Sequence, residues 1–215
     1  MTNFIPIFPL NIVVFPDEQL NLHIFEPRYK QLITDCYENK KQFGIPTVLK
    51  NSMTDFGTSV DILSIEKIHE NGEMDIKTKG NRIFKIIEPI NFIPDKLYHG
   101  AIVTYPENIL DSIPMKWNSL LELIRYFHEL LEVKKDYKKA NDHMQTYDIA
   151  HHAGLSLEQE YEFLCLLKES QRQEFLHQHL KKTIPTIVEL QNLKKRIEMN
   201  GHFRKLSINE ENNEV

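Results

Sequence analysis

The sequence predicts an α+β fold in which a small, partly open β-barrel with one helix precedes a helical bundle. Three observations lead to this prediction. Nine of the ten prolines lie at or before Pro114, and only Pro185 lies beyond it. Short apolar runs separated by turn residues fill the proline-rich part, which is typical of strands. After Pro114 the apolar residues recur at the spacing of amphipathic helices.

The first segment, Ile5–Tyr29, combines apolar runs with prolines at positions 6, 9, 16 and 27. Interior proline breaks a helix, and in a central strand it removes a ladder donor. The segment therefore predicts short edge strands with sharp corners. Because proline is favoured in the first turn of a helix, a helix is expected from Pro27 to about Glu38.

Further strands are expected downstream of this helix. Asn71-Gly72 lies between two strand-like runs and predicts a hairpin, because both central positions of the favoured two-residue turn need a positive φ. The strand candidates are Phe43–Leu49, Val60–Ile68, Met74–Thr78, Ile83–Ile87 and Ala101–Tyr105.

Helices are expected in the second half. Residues 120, 124, 127 and 131 are apolar at helical spacing. Ser156 with Gln159 three residues later is the signature of a capping box at a helix start. A final helix is expected from about Pro185 to just before Gly201.

These patterns predict three regions. Residues 1–112 are expected to form the β-rich barrel, and residues 113–201 the helical bundle. Residues 202–215 are polar and acidic, and are expected to form a frayed tail.

The composition is that of an ordinary globular protein, with 41% hydrophobic and 27% charged residues in a chain of 215. No apolar run approaches the ~20 residues of a membrane span. The first residues lack the positive n-region and the apolar block of a signal peptide. Cytoplasmic residence without a membrane partner is therefore expected. The net charge of −5 disfavours a nucleic-acid backbone as partner.

Sequence signatures of catalysis are missing. The sequence contains no GxxxxGK[S/T] phosphate loop, and its seven glycines argue against any other loop that cradles phosphate. A GxSxG nucleophile motif is also missing. We therefore expect a protein that is not an enzyme and that uses no cofactor.

Ten histidines raise the question of a metal site. Only one candidate pair has the i, i+4 spacing that places two ligands on one helix face, and no HExxH motif is present. We therefore expect surface and interhelical histidines and predict no metal ligand. The pairs considered are His151/His152, His177/His179 and His128/Glu132.

Four motifs resemble a known family. Pro6–Pro16 (PIFPLNIVVFP) and Phe25–Tyr29 (FEPRY) closely resemble the amino-terminal substrate-binding domain of Lon proteases. Gly57–Val60 (GTSV) and Gly80–Phe84 (GNRIF) are similar to strand motifs of the same family. The chain looks most like the stand-alone bacterial forms, which lack ATPase and protease domains. This resemblance implies a PUA-like pseudo β-barrel.

The resemblance also implies a function. Lon amino-terminal domains help to select protein substrates, so we expect a protein-binding module that engages unfolded or extended polypeptide, with a separate protease or chaperone as a further partner. Such a module needs an exposed apolar patch or an open sheet edge, which Ile5–Leu10 and Asn11–Phe15 are expected to supply. RNA binding by a PUA-like protein is the alternative, by fold analogy. A small-molecule enzyme with a deep pocket is a third class.

The expected substrate-binding residues lie at two corners that bracket one strand. Phe15 lies at the first corner, and Phe25, Glu26 and Arg28 lie at the second. A strand of about six residues spans roughly 20 Å, so the corners are expected to form separate patches. The helix start is expected to offer free backbone donors, and Glu26 with Arg28 a charged pair. A purely structural role for Glu26 and Arg28 is the alternative.

Overall fold

The computed structural model describes residues 3–134 and 144–211, with side chains up to residue 197. The chain forms two compact units. The first comprises Met1–Ser112 and Lys139–Arg172, and the second comprises Ile113–Lys138 and Gln173–Val215. The range 113–201, which was expected to form one helical bundle, is thus divided between the two units.

The first unit contains a six-stranded antiparallel sheet. The described strands are β1 (Asn3–Pro6), β2 (Gln19–Ile24), β3 (Phe43–Leu49), β4 (Ser52–Ile68), β5 (Met74–Ile90) and β6 (Gly100–Thr104). The sheet order is β1-β6-β5-β4-β3, and β2 pairs with β5 outside this path. The α+β class is confirmed, and the sheet is not closed.

The long β4–β5 hairpin dominates the sheet. Its turn differs from the predicted two-residue turn, because His69 N–H donates to the Glu73 carbonyl at 2.8 Å and Gly72 N–H donates to the His69 carbonyl at 2.8 Å. Gly72 has a φ of 75°, whereas Asn71 has no positive φ. The loop is therefore the three-residue form in which a type I turn is followed by a left-handed glycine.

The segment after β1 lies between two strands. β1 pairs with β6, and isolated parallel bridges join Ile7 to Gly44 and Leu10 to Thr47 on β3. Ile5–Leu10 is therefore an edge only in part: β1 ends the strand order, whereas the backbone of residues 7–10 bonds to β3. These two bridges join the segment to β3, but β1 and β3 do not form a continuous ladder.

Helix α1 (Pro27–Glu38) starts at the predicted proline. Its buried face consists of Tyr29, Leu32, Ile33 and Cys36, which belong to the main hydrophobic core of the first unit. The spacing of these residues is that of one helix face, so burial of this face holds α1 against the sheet.

Two further helices belong to the first unit, α3 (Thr146–Ala150) and α4 (Leu157–Leu164). The predicted capping box at the start of α4 is confirmed, because Ser156 and Gln159 exchange side-chain and backbone hydrogen bonds. This box satisfies two amides that a helix start would otherwise leave without partners.

The second unit contains α2 (Pro114–Leu130) and most of α5 (Glu169–Glu211). On α2, the predicted apolar positions Leu120, Ile124 and Phe127 are buried. No helix in the described part of the chain combines the length and apolar character needed to cross a membrane.

Helix α5 corrects the prediction of a separate final helix. Pro185 lies inside α5 instead of near the start of a new helix. Proline removes one helical hydrogen bond, but most residues that follow it are strong helix formers, so the helix continues. Of the tail expected to fray, residues 202–211 lie within α5, and residues 212–215 lie outside the described residues.

Candidate functional site

Strand β2 lies at an edge of the sheet, because its one partner among the described strands is β5. Just before β2, Gly80 N–H donates to the Glu18 carbonyl at 2.8 Å. Antiparallel neighbours alternate between hydrogen-bonded and non-hydrogen-bonded pairs. This alternation directs the peptide groups of Gln19, Asn21 and His23 away from β5. β2 is therefore an edge strand with outward backbone groups, in addition to β1 and β3 at the two ends of the strand order.

The far end of β2 runs into the second predicted corner. Phe25 follows the strand and is 58% exposed. Glu26 then occupies the N-cap position of α1, and Arg28 lies in its first turn. Arg28 Nε lies 2.9 Å from Glu26 Oε2, and the Nη2 atom of Arg28 lies 2.7 Å from the same oxygen. Phe25, Glu26 and Arg28 thus form one half-exposed patch that continues the β2 edge.

The backbone at the start of α1 offers fewer free donors than expected. Pro27 has no N–H, and the amides of Tyr29 and Lys30 both donate to the Glu26 carbonyl, at 3.0 and 2.9 Å. The Glu26 carboxylate makes no capping hydrogen bond and pairs with Arg28 instead. The charged groups exposed at this corner are therefore the carboxylate and guanidinium of the Glu26–Arg28 pair.

The Tyr29 ring packs against the Arg28 side chain of this pair. The same ring packs against Phe8 at a tilt of 30°, with 3.8 Å between the ring centroids, and the Arg28 guanidinium carbon lies 4.5 Å from the Tyr29 ring centroid. Burial raises the pKa of the Tyr29 hydroxyl, against the opposing effect of Arg28. Arg28 therefore lies between an acidic partner and an aromatic face, which limits its conformations.

Phe15 lies away from this surface, although it was predicted to belong to the binding site. It is 1% exposed, and its ring centroid lies 5.3 Å from that of Tyr147 and 5.6 Å from that of Phe163. A buried ring cannot contact a bound polypeptide, so Phe15 does not share the exposed surface of Phe25, Glu26 and Arg28.

A partly exposed histidine, His151, lies close to the other end of β2. His151 Nε2 lies 3.1 Å from Glu18 Oε2, and His151 Nδ1 lies 2.7 Å from Glu160 Oε1. Burial lowers the pKa of His151, but the hydrogen bonds and charges of both carboxylates outweigh it and raise the pKa to about 9. His151 is therefore protonated at neutral pH. The sequence showed only an adjacent His151/His152 pair, and neither partner could be read from it.

A buried charge cluster lies at the start of α5. Arg172 is fully buried, and its Nε and Nη2 atoms lie 3.0 and 2.9 Å from Glu169 Oε2. Arg172 also donates to Asn108 Oδ1 at 2.8 Å. Glu169 accepts the backbone amide of Thr146 at 3.0 Å. This cluster links α5 to the loop before α2 and to α3, and it was not predicted.

A cavity beside β1 and α1 is a candidate site for the third function class, a small-molecule enzyme. Among its lining residues, Asp35 accepts hydrogen bonds from Lys96 at 2.7 Å and from the Tyr98 hydroxyl at 2.8 Å. Burial raises the pKa of the Asp35 carboxyl, but these bonds outweigh it and hold the pKa below its usual value. Burial raises the pKa of the Cys36 thiol to about 12. Cys36 is therefore protonated and not activated as a nucleophile.

The comparisons with known proteins point to one family. Residues 5–182 match the family model described as the ATP-dependent protease La (LON) substrate-binding domain. A Lon N-terminal domain protein from Xanthomonas campestris is similar, with a TM-score of 0.60 and 21% identity over 81% of this chain and 96% of that chain. The N-terminal domain of Lon protease from the Mycobacterium avium complex gives a TM-score of 0.61 and 14% identity over 83% of this chain and 98% of that chain. No curated protein matches the chain significantly.

Proposed function

The chain belongs to the LON substrate-binding domain family, and we propose that it is a non-enzymatic module that binds extended segments of unfolded polypeptide along the open edge of β2. Membership of this family supports a role in substrate recognition. The location of the bound segment and its extended conformation are our proposal. A separate protease or chaperone is the proposed recipient of the bound polypeptide.

The observation that carries the proposal is the open edge of β2. An extended segment can add to such an edge as a further strand, with main-chain hydrogen bonds that do not depend on its sequence. Gln19, Asn21 and His23 are the positions where the alternation of the ladder places outward donors and acceptors. Binding through the main chain suits a module that must accept many different segments.

The patch at the end of β2 supports the same mode of binding. Phe25 offers apolar area that a side chain of the segment covers, and burial of a phenylalanine contributes about 1.5–3 kcal/mol. Glu26 and Arg28 offer one acceptor and one donor group of opposite charge to the next peptide group or side chain. Because these groups lie at one end of β2, they favour one orientation of the bound segment.

A strand-edge substitution tests the proposal. Asn21→Pro removes one outward N–H but no bond to β5, and proline is tolerated on edge strands. Asn21→Ala is the matched control, since it keeps the N–H. We expect Asn21→Pro to weaken binding of a reduced, carboxymethylated unfolded protein by about tenfold, and Asn21→Ala to leave it unchanged.

The test has a clear contrary result. If Asn21→Pro folds normally by circular dichroism and binds the unfolded protein as tightly as wild type, the β2 edge is not the binding surface. Single-stranded RNA is titrated in parallel. Tight, salt-sensitive RNA binding without binding of unfolded protein would favour the alternative of an RNA-binding protein.

The patch is tested separately. Replacing Glu26 and Arg28 together with alanine is expected to weaken binding by several-fold at unchanged stability. The matched control replaces Glu66 and Lys77, which form an exposed ion pair of 2.9 Å on the β4–β5 hairpin. Equal binding in both double variants would leave Glu26 and Arg28 with a structural role only.

A further inference from the structure

Two histidines and two carboxylates converge where β2 ends beside the β4–β5 turn. His23 Nδ1 lies 2.7 Å from Asp75 Oδ1, and His69 Nε2 lies 2.7 Å from Asp75 Oδ2. The three ligand atoms of His23, His69 and Asp75 lie within 4.8 Å of one another. We propose that these three residues form a binding site for Zn²⁺ or a similar transition-metal ion.

The spacing of the three groups fits a tetrahedral ion. Zn²⁺ binds imidazole nitrogen and carboxylate oxygen at about 2.0–2.2 Å, so neighbouring ligand atoms in a tetrahedral site lie about 3.3 Å apart. The two N···O distances of 2.7 Å run to different oxygens of Asp75, so one oxygen serves as the ligand and its N···O distance opens by about 0.6 Å. The His23 and His69 rings are nearly perpendicular, with centroids 5.6 Å apart, and their ligand nitrogens lie within 4.8 Å of each other, so one ion can contact both.

The second nitrogen of His23 already has the partner that a metal-bound histidine uses. His23 Nε2 lies 3.1 Å from Glu73 Oε2. A metal-ligating imidazole usually donates its other N–H to a carboxylate or carbonyl, which fixes the tautomer and the ring orientation. Glu73 is thus assigned the role of a positioning residue that leaves Nδ1 of His23 free to bind the ion.

The backbone holds the ligands before the ion arrives. His23 and Asp75 are directly paired positions of β2 and β5. His69 and Glu73 are joined by the turn hydrogen bond of 2.8 Å, and Asn71 Oδ1 accepts Glu73 N–H at 3.1 Å. Because the ligands stand on paired strands and a closed turn, little ordering is needed on binding.

The ligand types select the class of ion. Two imidazoles and one carboxylate suit zinc and neighbouring transition metals, whereas magnesium and calcium prefer oxygen ligands. Three protein ligands leave the fourth position to water, as in open zinc sites. Bound metal would join β2 to the β4–β5 turn, next to Phe25, whose ring centroid lies 6.2 Å from that of His23.

Calorimetric titration of the untagged, metal-stripped full chain with ZnCl₂ tests the site. We expect wild type to bind one tight Zn²⁺. His69→Gln and Asp75→Asn should each weaken this binding at least about 100-fold, and Glu73→Gln about tenfold. The matched control is His99→Gln, which removes an exposed histidine whose Nδ1 bonds to the Asn91 carbonyl outside the cluster. This variant should bind Zn²⁺ like wild type.

A measurement on wild type makes the test independent of the variants. The imidazole NMR signals of His23 and His69 should shift together on addition of Zn²⁺, at a stoichiometry of one, while those of His99 should not. Binding that survives His69→Gln and Asp75→Asn, or the lack of any tight Zn²⁺ binding to wild type, would overturn the proposal. The cluster would then be a hydrogen-bonded ion network only.

Discussion

Arg172→Met is expected to destabilise the protein more than any exposed substitution. Arg172 is fully buried, and its guanidinium contacts the Glu169 carboxylate, the Asn108 side chain and the Leu166 carbonyl at 2.7–3.0 Å. Methionine fills similar space without charge. The substitution leaves the 2%-exposed Glu169 as a buried carboxylate without its cationic partner.

The magnitude follows from this uncompensated charge. Removing one partner of a buried ion pair costs about 3–5 kcal/mol of the free energy of unfolding. For a chain of this size each kcal/mol lowers the melting temperature by about 2–4 °C, so a fall of about 6–20 °C is expected. Arg28→Met is the matched control, because Arg28 forms a half-exposed pair with Glu26. Its loss should cost no more than about 1 kcal/mol.

The assay is equilibrium unfolding in urea, followed by circular dichroism, for wild type, Arg172→Met, Glu169→Gln and the double variant. We expect the double variant to lose less than the sum of the two single losses, because it leaves no unpaired buried charge. A loss below about 1 kcal/mol for Arg172→Met, or full additivity, would refute the argument that the two charges depend on each other.

Three other predictions concern groups in the first unit. His151 has a folded pKa of about 9 against 6.5 unfolded, so its contribution is fully present below pH 6.5 and is lost as pH rises through 9. Because the side chain of His151 is 29% exposed and solvent screens its ion pairs, the stability difference between wild type and His151→Gln should be about 1–2 kcal/mol at pH 6 and shrink by pH 10; a difference independent of pH in urea unfolding would contradict this. Gly57→Ala would make its Cβ overlap the backbone carbonyl oxygen of Ile45 and should lower stability by about 1–3 kcal/mol, and an unchanged melting temperature would disprove the tight contact. Cys36, with its pKa raised to about 12 by burial, should react with a thiol reagent at pH 8 only after unfolding, and rapid labelling of the folded chain would contradict its burial.

The sequence was most informative where structure depends on local chemistry. Pro27 marked the start of α1, and Ser156 with Gln159 marked the start of α4. The Phe25–Arg28 patch was also predictable, because its members are neighbours in the chain. The same local reasoning placed the turn at Asn71-Gly72, although the turn has three residues and a left-handed glycine instead of two positive φ angles.

The features that local patterns did not reveal depend on contacts between distant segments. Phe15 lies next to a proline, like a surface corner, but Tyr147 and Phe163 cover its ring. Arg172 lies in a polar, helix-forming stretch, and only the fold shows that it is buried. The open edge of β2 follows from the strand order, which no motif encodes.

The open edge of β2 also limits how tightly the proposed module can bind. Three outward residues offer about six hydrogen bonds of 0.5–1.5 kcal/mol each, and burial of Phe25 adds about 1.5–3 kcal/mol. Association costs at least about 4 kcal/mol in lost freedom, which leaves an affinity no tighter than about 1 μM. A short edge strand with polar residues at positions 19, 21 and 23 also resists pairing with a second copy. Weak, exchangeable binding fits a module that must pass its polypeptide on, whereas nanomolar binding of a single short segment would require a contact surface beyond β2 and Phe25.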